Sequence, residues 1–356
     1  MSKEANNDEE DCYEKKSIYE NFDEIAEKFS DQNACIVTQP APDPDAIGSS
    51  IGLQWLLEVE YGIICDVYHS GSLSHPQNQT MANILDIDLK TKEEFESEKY
   101  DLFIVVDTVP QNTGFTDIID HFHMIIDHHQ FDIESDLVDI RSVGSCSTII
   151  WDYLRQYDDI DFNTEKGAEV ATALLFGIRN DTDFLLTENT NSLDYEAHRS
   201  LIPLIDKNTM KSIVNYSQPS HMLDLKKKAI ENKIKHDSIM ISGLGIIPSK
   251  ERDALPIIAD ELIHTEGVET VIVFSIINDF VEASIRSNNS SINVHDLCQS
   301  IFGEDYAGGK MRAGGAKVPI GFLYSSEDDI ELRDEIWETA QKILKDRILR
   351  FFSGEV

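Results

Sequence analysis

Four short segments of this chain place carboxylates and imidazoles where apolar runs stop. "PDPD" carries Asp43 and Asp45, "VVDT" carries Asp107, "IIDHH" carries Asp127, His128 and His129, and "GIRNDT" carries Asp181. A lone Asp-x-Asp is usually a solvated turn, but an ordered series at the ends of strands and helices points to convergence. Carboxylates brought within about 4 Å of one another repel unless divalent cations stand between them. Oxygen donors with one or two imidazoles suit manganese or magnesium better than a sulfur-seeking metal. Two such ions can polarise a phosphoryl oxygen, ionise a bridging water near neutral pH and steady a leaving oxygen, so no protein nucleophile is needed. Asp127 reads as a partner that orients an imidazole.

The elements that must position these residues follow from periodicity. "SIYENFDEIAEKF" (17–29) has helical spacing, "ACIVTQ" reads as a strand, and "IGSSIGLQWLLEVEYG" reads as a helix ending at Gly62. "ICDVYHS", "YDLFIVVDT" and "HMIIDHH" are further strands, near-continuous apolar runs of the kind found in sheets buried on both faces. "CSTIIWDYLRQY" and "TEKGAEVATALLFGIRND" read as helices. Alternating strand and helix predicts an α/β domain with a mostly parallel sheet and helices on both faces, where ligands bind beyond the carboxyl ends of the strands.

Around residues 217–237 a charged stretch, "SQPSHMLDLKKKAIENKIKHD", reads as a helical linker. A smaller α/β unit follows at 238–356, with a strand in "SIMISGLGIIP", a helix near Ala254 to His264, and a hairpin turning at Asn278 and Asp279. Residues 17–216 form the first domain, and 1–16 are an acidic extension.

Length and charge narrow the partners. A chain of 356 residues suits two domains. No window approaches the roughly 18 to 20 apolar residues of a membrane span, and the acidic start lacks a secretory core. Five scattered cysteines without a CxxC pair fit a reduced, cytoplasmic protein. With 66 acidic against 30 basic residues, a net of −36, the surface is like that of a salt-adapted protein and repels long double-stranded nucleic acid. A small anion binds only where cations reverse that field.

The set "PDPDAIGS", "VVDT", "DHH" and "GIRNDT" resembles the four motifs of the DHH phosphoesterases, and "ASIRS" with "YAGGKMRAGGAKVPIG" resembles their DHHA1 domain. The resemblance covers nearly the whole chain after Ala34. It implies two divalent cations, manganese first with magnesium or cobalt as substitutes. The implied ligands are Asp43, Asp45, Asp107, His128 and Asp181, with Asp107 bridging and Asp181 the second candidate for a bridge. It implies that His129 contacts the scissile phosphate, so His129 and Asp107 are the catalytic pair.

One departure bears on the metals: Gln39 stands where the family has a histidine four residues before the first motif aspartate. An amide oxygen is a weaker donor than imidazole, so Gln39 is a weak ligand at best. His69 and His75, in "YHSGSLSHPQNQ", are candidates to compensate.

In the second half, Gly308 and Gly309 let backbone N–H groups approach an anion, and Arg286, Ser287, Lys310 and Arg312 complete a substrate-binding set. The family usually has histidine where Lys310 stands. The expected activity is metal-dependent hydrolysis of a phosphoester in a short nucleotide: an oligoribonucleotide, a 3′-phosphoadenosine 5′-phosphate type molecule or a dinucleotide. Catalysis is expected in a cleft between the domains, and a homodimer is compatible with the sequence. A pyrophosphatase-like hydrolase and a non-catalytic nucleotide sensor are the alternatives.

Overall fold

A computed structural model describes residues 17–321, 324 and 330–353; the acidic extension expected over residues 1–16 lies outside the described residues. The chain divides into two compact units, the first running to Tyr216 apart from Ser74–Pro76, which groups with the second.

The first unit opens with α1 (Ile18–Lys28), started by a capping box between Ser17 and Glu20. β1 (Asn33–Val37) leads into α2 (Pro44–Tyr61), and β2 (Ile64–His69), α3 (Pro76–Ile84) and β3 (Leu89–Thr91) follow. Next come β4 (Leu102–Val106), α4 (Pro110–Thr113), β5 (Met124–Asp127) and β6 (Leu137–Ile140). Four helices close the unit: α5 (Cys146–Leu154), α6 (Glu165–Asp181), α7 (Ser192–Leu201) and α8 (Lys207–Val214).

The six strands form one parallel sheet in the order β3-β2-β1-β4-β5-β6. Alternate side chains divide between two cores. Ala34, Ile36, Ile104 and Ile126 face α2, α5 and α6, while Cys35, Val37, Val105 and Ile125 face an aromatic layer with Tyr68, Tyr100, Phe115 and Phe122. Burial on both faces is why these strands read as continuous apolar runs. The strand order reverses between β1 and β4, and this switch point is where open α/β sheets take their ligands.

Helix α2 begins earlier than its apolar pattern suggests. Asp43 is its N-cap, accepting from the N–H groups of Asp45 and Ala46 at 3.0 Å, with Pro44 in the first turn. Both aspartates therefore sit on a helix start and not in a free loop. Two glycines set how closely the helices meet. A Cβ on Gly177 would lie 2.4 Å from Ser147 Oγ and 3.0 Å from Pro44 O, and one on Gly48 would lie 2.7 Å from Ala173 O. Only glycine lets α2, α5 and α6 approach this closely, and α6 carries Asp181 at its end.

The second unit contains α9 (His221–Asn232), β7 (Ile234–His236), β8 (Ile239–Ile247), α10 (Ala254–Leu262), β9 (Thr270–Ile277) and β10 (Phe280–Ser287). It ends with α11 (Val294–Phe302), β11 (Ala307–Gly309), β12 (Ala313–Pro319) and α12 (Ile330–Ser353). Its mixed sheet runs β11-β12-β10-β9-β8-β7, with β8 and β9 parallel and the other pairs antiparallel. Helices α9 and α10 cover one face, and α11 and α12 cover the other. The segment expected to be a helical linker contributes Met222, Leu225 and Ala229 to this unit's core, and its last residues are strand β7. Among the described residues, no helix is long and apolar enough to cross a membrane.

Candidate metal centre

The carboxyl ends of β1, β4 and β5 and the last turn of α6 bring the predicted residues together in the first unit. Asp45 is fully buried and lies across the first turn of α5. Cys146 N–H donates to Asp45 Oδ2 at 2.7 Å and Ser147 N–H donates to Oδ1 at 2.8 Å. A helix N-terminus carries partial positive charge, so it holds this carboxylate in place. Burial, then the nearby Asp181 carboxylate, nevertheless push the Asp45 carboxyl up to about 7.

Asp107 follows β4 with φ 60°, a left-handed conformation that aspartate tolerates better than most residues. It is almost fully buried. Burial and the surrounding carboxylates of Asp45, Asp43, Asp181 and Asp127 hold its carboxyl well above the usual range.

His128 stands among these groups. Its Nδ1 lies 3.2 Å from Val143 O, so the N–H belongs on Nδ1 and the Nε2 lone pair points inward. Nε2 is 3.2 Å from Asp181 Oδ2, 3.4 Å from Asp107 Oδ1 and 4.0 Å from Asp45 Oδ2. Asp45, His128 and Asp181 form one group with metal-ligating spacing, and Asp107, Asp127, His128 and His129 form another.

Four buried atoms here have no hydrogen-bond partner: Gln39 Oε1, Asp107 Oδ1, Asp127 Oδ2 and His128 Nε2. Three are oxygens and the fourth is an imidazole nitrogen in the tautomer a metal needs. Orphaned acceptors of this kind are costly in a folded protein unless an ion takes their lone pairs, so the residues fit divalent cations. Gln39 reaches the centre through Nε2, which donates to Asp107 Oδ2 at 3.4 Å.

Asp127 acts differently from its sequence reading for a metal-bound imidazole. Its Oδ1 accepts from the N–H of His128 at 2.6 Å and of His129 at 3.0 Å, and it meets His129 Nδ1 at 2.9 Å. The ring it orients is therefore His129, while a main-chain carbonyl orients His128. Its unpartnered Oδ2 adds Asp127 to the possible ligands. His69 turns to Pro40 O at 3.3 Å and His75 groups with the second unit; neither belongs to the ligand groups.

Sequence reasoning missed the segment just after Asp181. Asp183, Phe184 and Leu185 have φ of 45°, 57° and 69°. For bulky residues such angles cost on the order of 1–3 kcal/mol each and persist only where neighbours over-determine them. It also missed Arg179, whose Nε donates to His198 Nε2 at 3.1 Å. Burial lowers the His198 pKa, and the adjacent guanidinium lowers it further, which suits a neutral acceptor ring.

In the second unit, Arg286 on β10 is gripped by Asp260, with Nε to Oδ1 at 2.5 Å and Nη2 to Oδ2 at 3.2 Å, and it also donates to Ser284 Oγ. Ser287 is buried against Thr270 and Glu269 O, which commits its hydroxyl to the sheet. Gly308 and Gly309 pair with Gly315 and Gly314, and Lys310 N–H closes the turn onto Ala313 O at 2.7 Å. Arg312 is exposed, and among the described residues no carboxylate pairs with it. His295, from α11, contacts Gly309 through Nδ1, 3.2 Å from its N and 3.1 Å from its O. The spacing of His295 in sequence gave no sign of this contact.

A parallel α/β sheet with buried acidic and imidazole side chains gathered at its switch point defines the class: an α/β protein with a centre suited to divalent cations. Residues 33–178, within the first unit, match the model of the DHH family, N-terminal domain. Over 314 residues it is 32% identical to an uncharacterized protein of Methanocaldococcus jannaschii, covering 87% of this chain and 63% of that one. The chain thus spans under two thirds of that relative's length. Over 265 residues it is 23% identical to a probable manganese-dependent inorganic pyrophosphatase of Streptococcus agalactiae, covering 68% of this chain and 81% of that protein. An exopolyphosphatase-related protein from Bacteroides fragilis shares the fold, with a TM-score of 0.68 at 17% identity, covering 92% of this chain and 97% of that one.

Proposed function

We propose that this protein hydrolyses a phosphoester bond of a short nucleotide at a centre where Asp43, Asp45, Asp107, His128 and Asp181 hold two divalent cations, manganese first. The observation that carries the reading is the pairing of His128 Nε2 with Asp107 Oδ1 at 3.4 Å, both buried and both without a hydrogen-bond partner. Two inward-facing acceptors at that distance call for a cation. When bound, such ions polarise the phosphoryl oxygen and lower the pKa of the attacking water.

The chain's own residues supply the rest. The first turn of α5 fixes Asp45, Val143 O fixes the His128 tautomer, and Asp127 fixes His129. With Nδ1 on Asp127, His129 meets a phosphoryl oxygen through Nε2, and its side chain is 42% exposed. Gln39 serves as a weak further ligand through Oε1. In the second unit Arg286, Lys310 and Arg312, beside the Gly308–Gly309 turn, support recognition of an anionic substrate in an otherwise acidic chain.

A second reading, pyrophosphate hydrolysis, is favoured by the similarity to the streptococcal protein. Product chromatography separates the two. Purified protein with manganese, magnesium or cobalt is offered a linear dinucleotide, adenosine 3′,5′-bisphosphate or pyrophosphate. Manganese-dependent release of mononucleotide or adenosine monophosphate is the expected result; turnover of pyrophosphate alone would replace the nucleotide reading. Nucleotide binding without turnover under any metal would make the protein a sensor.

A further inference from the structure

The backbone beyond Asp181 is built more firmly than a surface loop requires. Three successive non-glycine residues, Asp183 to Leu185, adopt positive φ, and for phenylalanine and leucine that is a genuine outlier. Thr182, fully buried, pins the turn: its Oγ1 accepts from Leu185 N–H at 3.0 Å and its carbonyl accepts from Leu186 N–H at 2.8 Å. Phe184 N–H donates to Arg179 O at 2.8 Å. This fixed turn holds an aromatic ring outward, leaving Phe184 61% exposed. Tyr195, 53% exposed, reaches the same turn through a hydroxyl 3.4 Å from Leu185 O.

Single exposed apolar residues are commonplace and need no function. Phe184 differs in two respects. It sits on strained backbone that its neighbours enforce, and it lies three residues past Asp181, so the two Cα atoms are at most about 11 Å apart. Arg179, whose carbonyl holds the Phe184 N–H, donates its Nε to the His198 imidazole, and among the described residues no carboxylate pairs with its guanidinium, although the chain has 66 acidic residues against 30 basic ones. An exposed aromatic face held by a fixed turn a few residues from a phosphoryl centre matches the base and phosphate ends of a nucleotide. Bases stack on aromatic rings whatever their identity, because every base has a π face.

We infer that Phe184 is a nucleobase platform: its ring stacks on the base of the nucleotide whose phosphate lies at the Asp107–His128–Asp181 centre. This rests on the nucleotide reading above and sharpens it, since inorganic phosphates have no face to stack.

The test uses the full-length protein with manganese and a 5′-phosphorylated dinucleotide containing 2-aminopurine, whose fluorescence falls on stacking. Stopped-flow mixing reads the quench before cleavage, and steady-state assays compare this substrate with an analogue in which the modified base is absent. Phe184→Ala is expected to abolish the quench and raise KM for the dinucleotide about tenfold, with kcat within about twofold and KM for the abasic analogue unmoved. Phe184→Trp should restore both signals, and Leu186→Ala, a more exposed neighbour, should change neither. Quenching by wild type without cleavage, lost in Phe184→Ala, would sink hydrolysis and leave the platform standing. Cleavage with an unchanged quench in Phe184→Ala, or an equal rise in KM for both substrates, would overturn the platform alone.

Discussion

His128 Nε2 and Asp107 Oδ1 face one another at 3.4 Å as two acceptors, because the N–H of the imidazole is turned to Val143 O. A cation would resolve that opposition, and Asp107 is surrounded by the carboxylates of Asp45, Asp43, Asp181 and Asp127. Asp107→Asn is the informative change, since asparagine also tolerates the left-handed φ of 60° at this position. Hydrolysis should fall at least about 100-fold, the upper end of what loss of a supporting partner costs. Circular dichroism and thermal melting should remain those of a folded protein, and calorimetry should show weaker manganese binding. Undiminished turnover with manganese still bound would eliminate the two-ion centre.

The buried Asp45 carboxyl gives a pH prediction with a definite sign. Its pKa stands at about 7 in the folded protein against an ordinary value of 3.8, so the folded state holds a proton that the unfolded chain has released. The associated stability is present below about pH 4 and is lost as pH rises through about 7. In EDTA the melting temperature should therefore fall between pH 5 and pH 8, and Asp45→Asn should flatten that slope. Manganese competes with protons, so its stabilising effect should be larger at pH 8 than at pH 5. Equal metal stabilisation at both values would show that Asp45 does not couple to the ion.

Gln39 reaches the centre with its carbonyl oxygen buried and unpartnered, and with only a long contact from its amide nitrogen to Asp107. Imidazole is a better donor to manganese than a neutral amide. Gln39→His should lower the manganese concentration for half-maximal activity by about tenfold, through one of two resolvable binding steps. Superimposable titrations would remove residue 39 from the ligand set.

Much of this site is legible in the sequence because its parts sit where periodicity breaks. The runs before Asp107 and Asp127 are apolar at every position, since both faces of the sheet are covered, and each stops at its functional residue. Other features leave no such trace. The start of α2 at Pro44 is hidden because Asp43 caps the helix before its apolar pattern begins. The charged run "LKKKA" masks the stripe of Met222, Leu225 and Ala229 that docks α9 in the second unit. The burial of Ser287, the grip of Asp260 on Arg286 and the approach of His295 to Gly309 join residues 17, 26 and 14 positions apart. No local pattern encodes such contacts.

The two arginines of the second unit should respond differently to mutation, although the sequence presents them as equivalent clamps. Arg286 already has a forked carboxylate partner in Asp260, whereas Arg312 is exposed and, among the described residues, has none. A charge-assisted phosphate contact contributes on the order of 1.5–3 kcal/mol, so Arg312→Ala should raise KM for a dinucleotide about tenfold with little change in kcat. Arg286→Ala removes substrate binding only to the extent that phosphate displaces Asp260. Its effect should be smaller, and Asp260→Asn should lower KM by releasing the guanidinium. Added salt separates the cases further: a chain with 36 excess negative charges repels long strands at low ionic strength, and salt screens that repulsion over roughly 8–10 Å. Short substrates should therefore outperform long single strands at low salt, with the gap narrowing as salt rises. Equal losses in Arg286→Ala and Arg312→Ala, together with an unchanged KM in Asp260→Asn, would show that the Asp260 pair does not restrain Arg286.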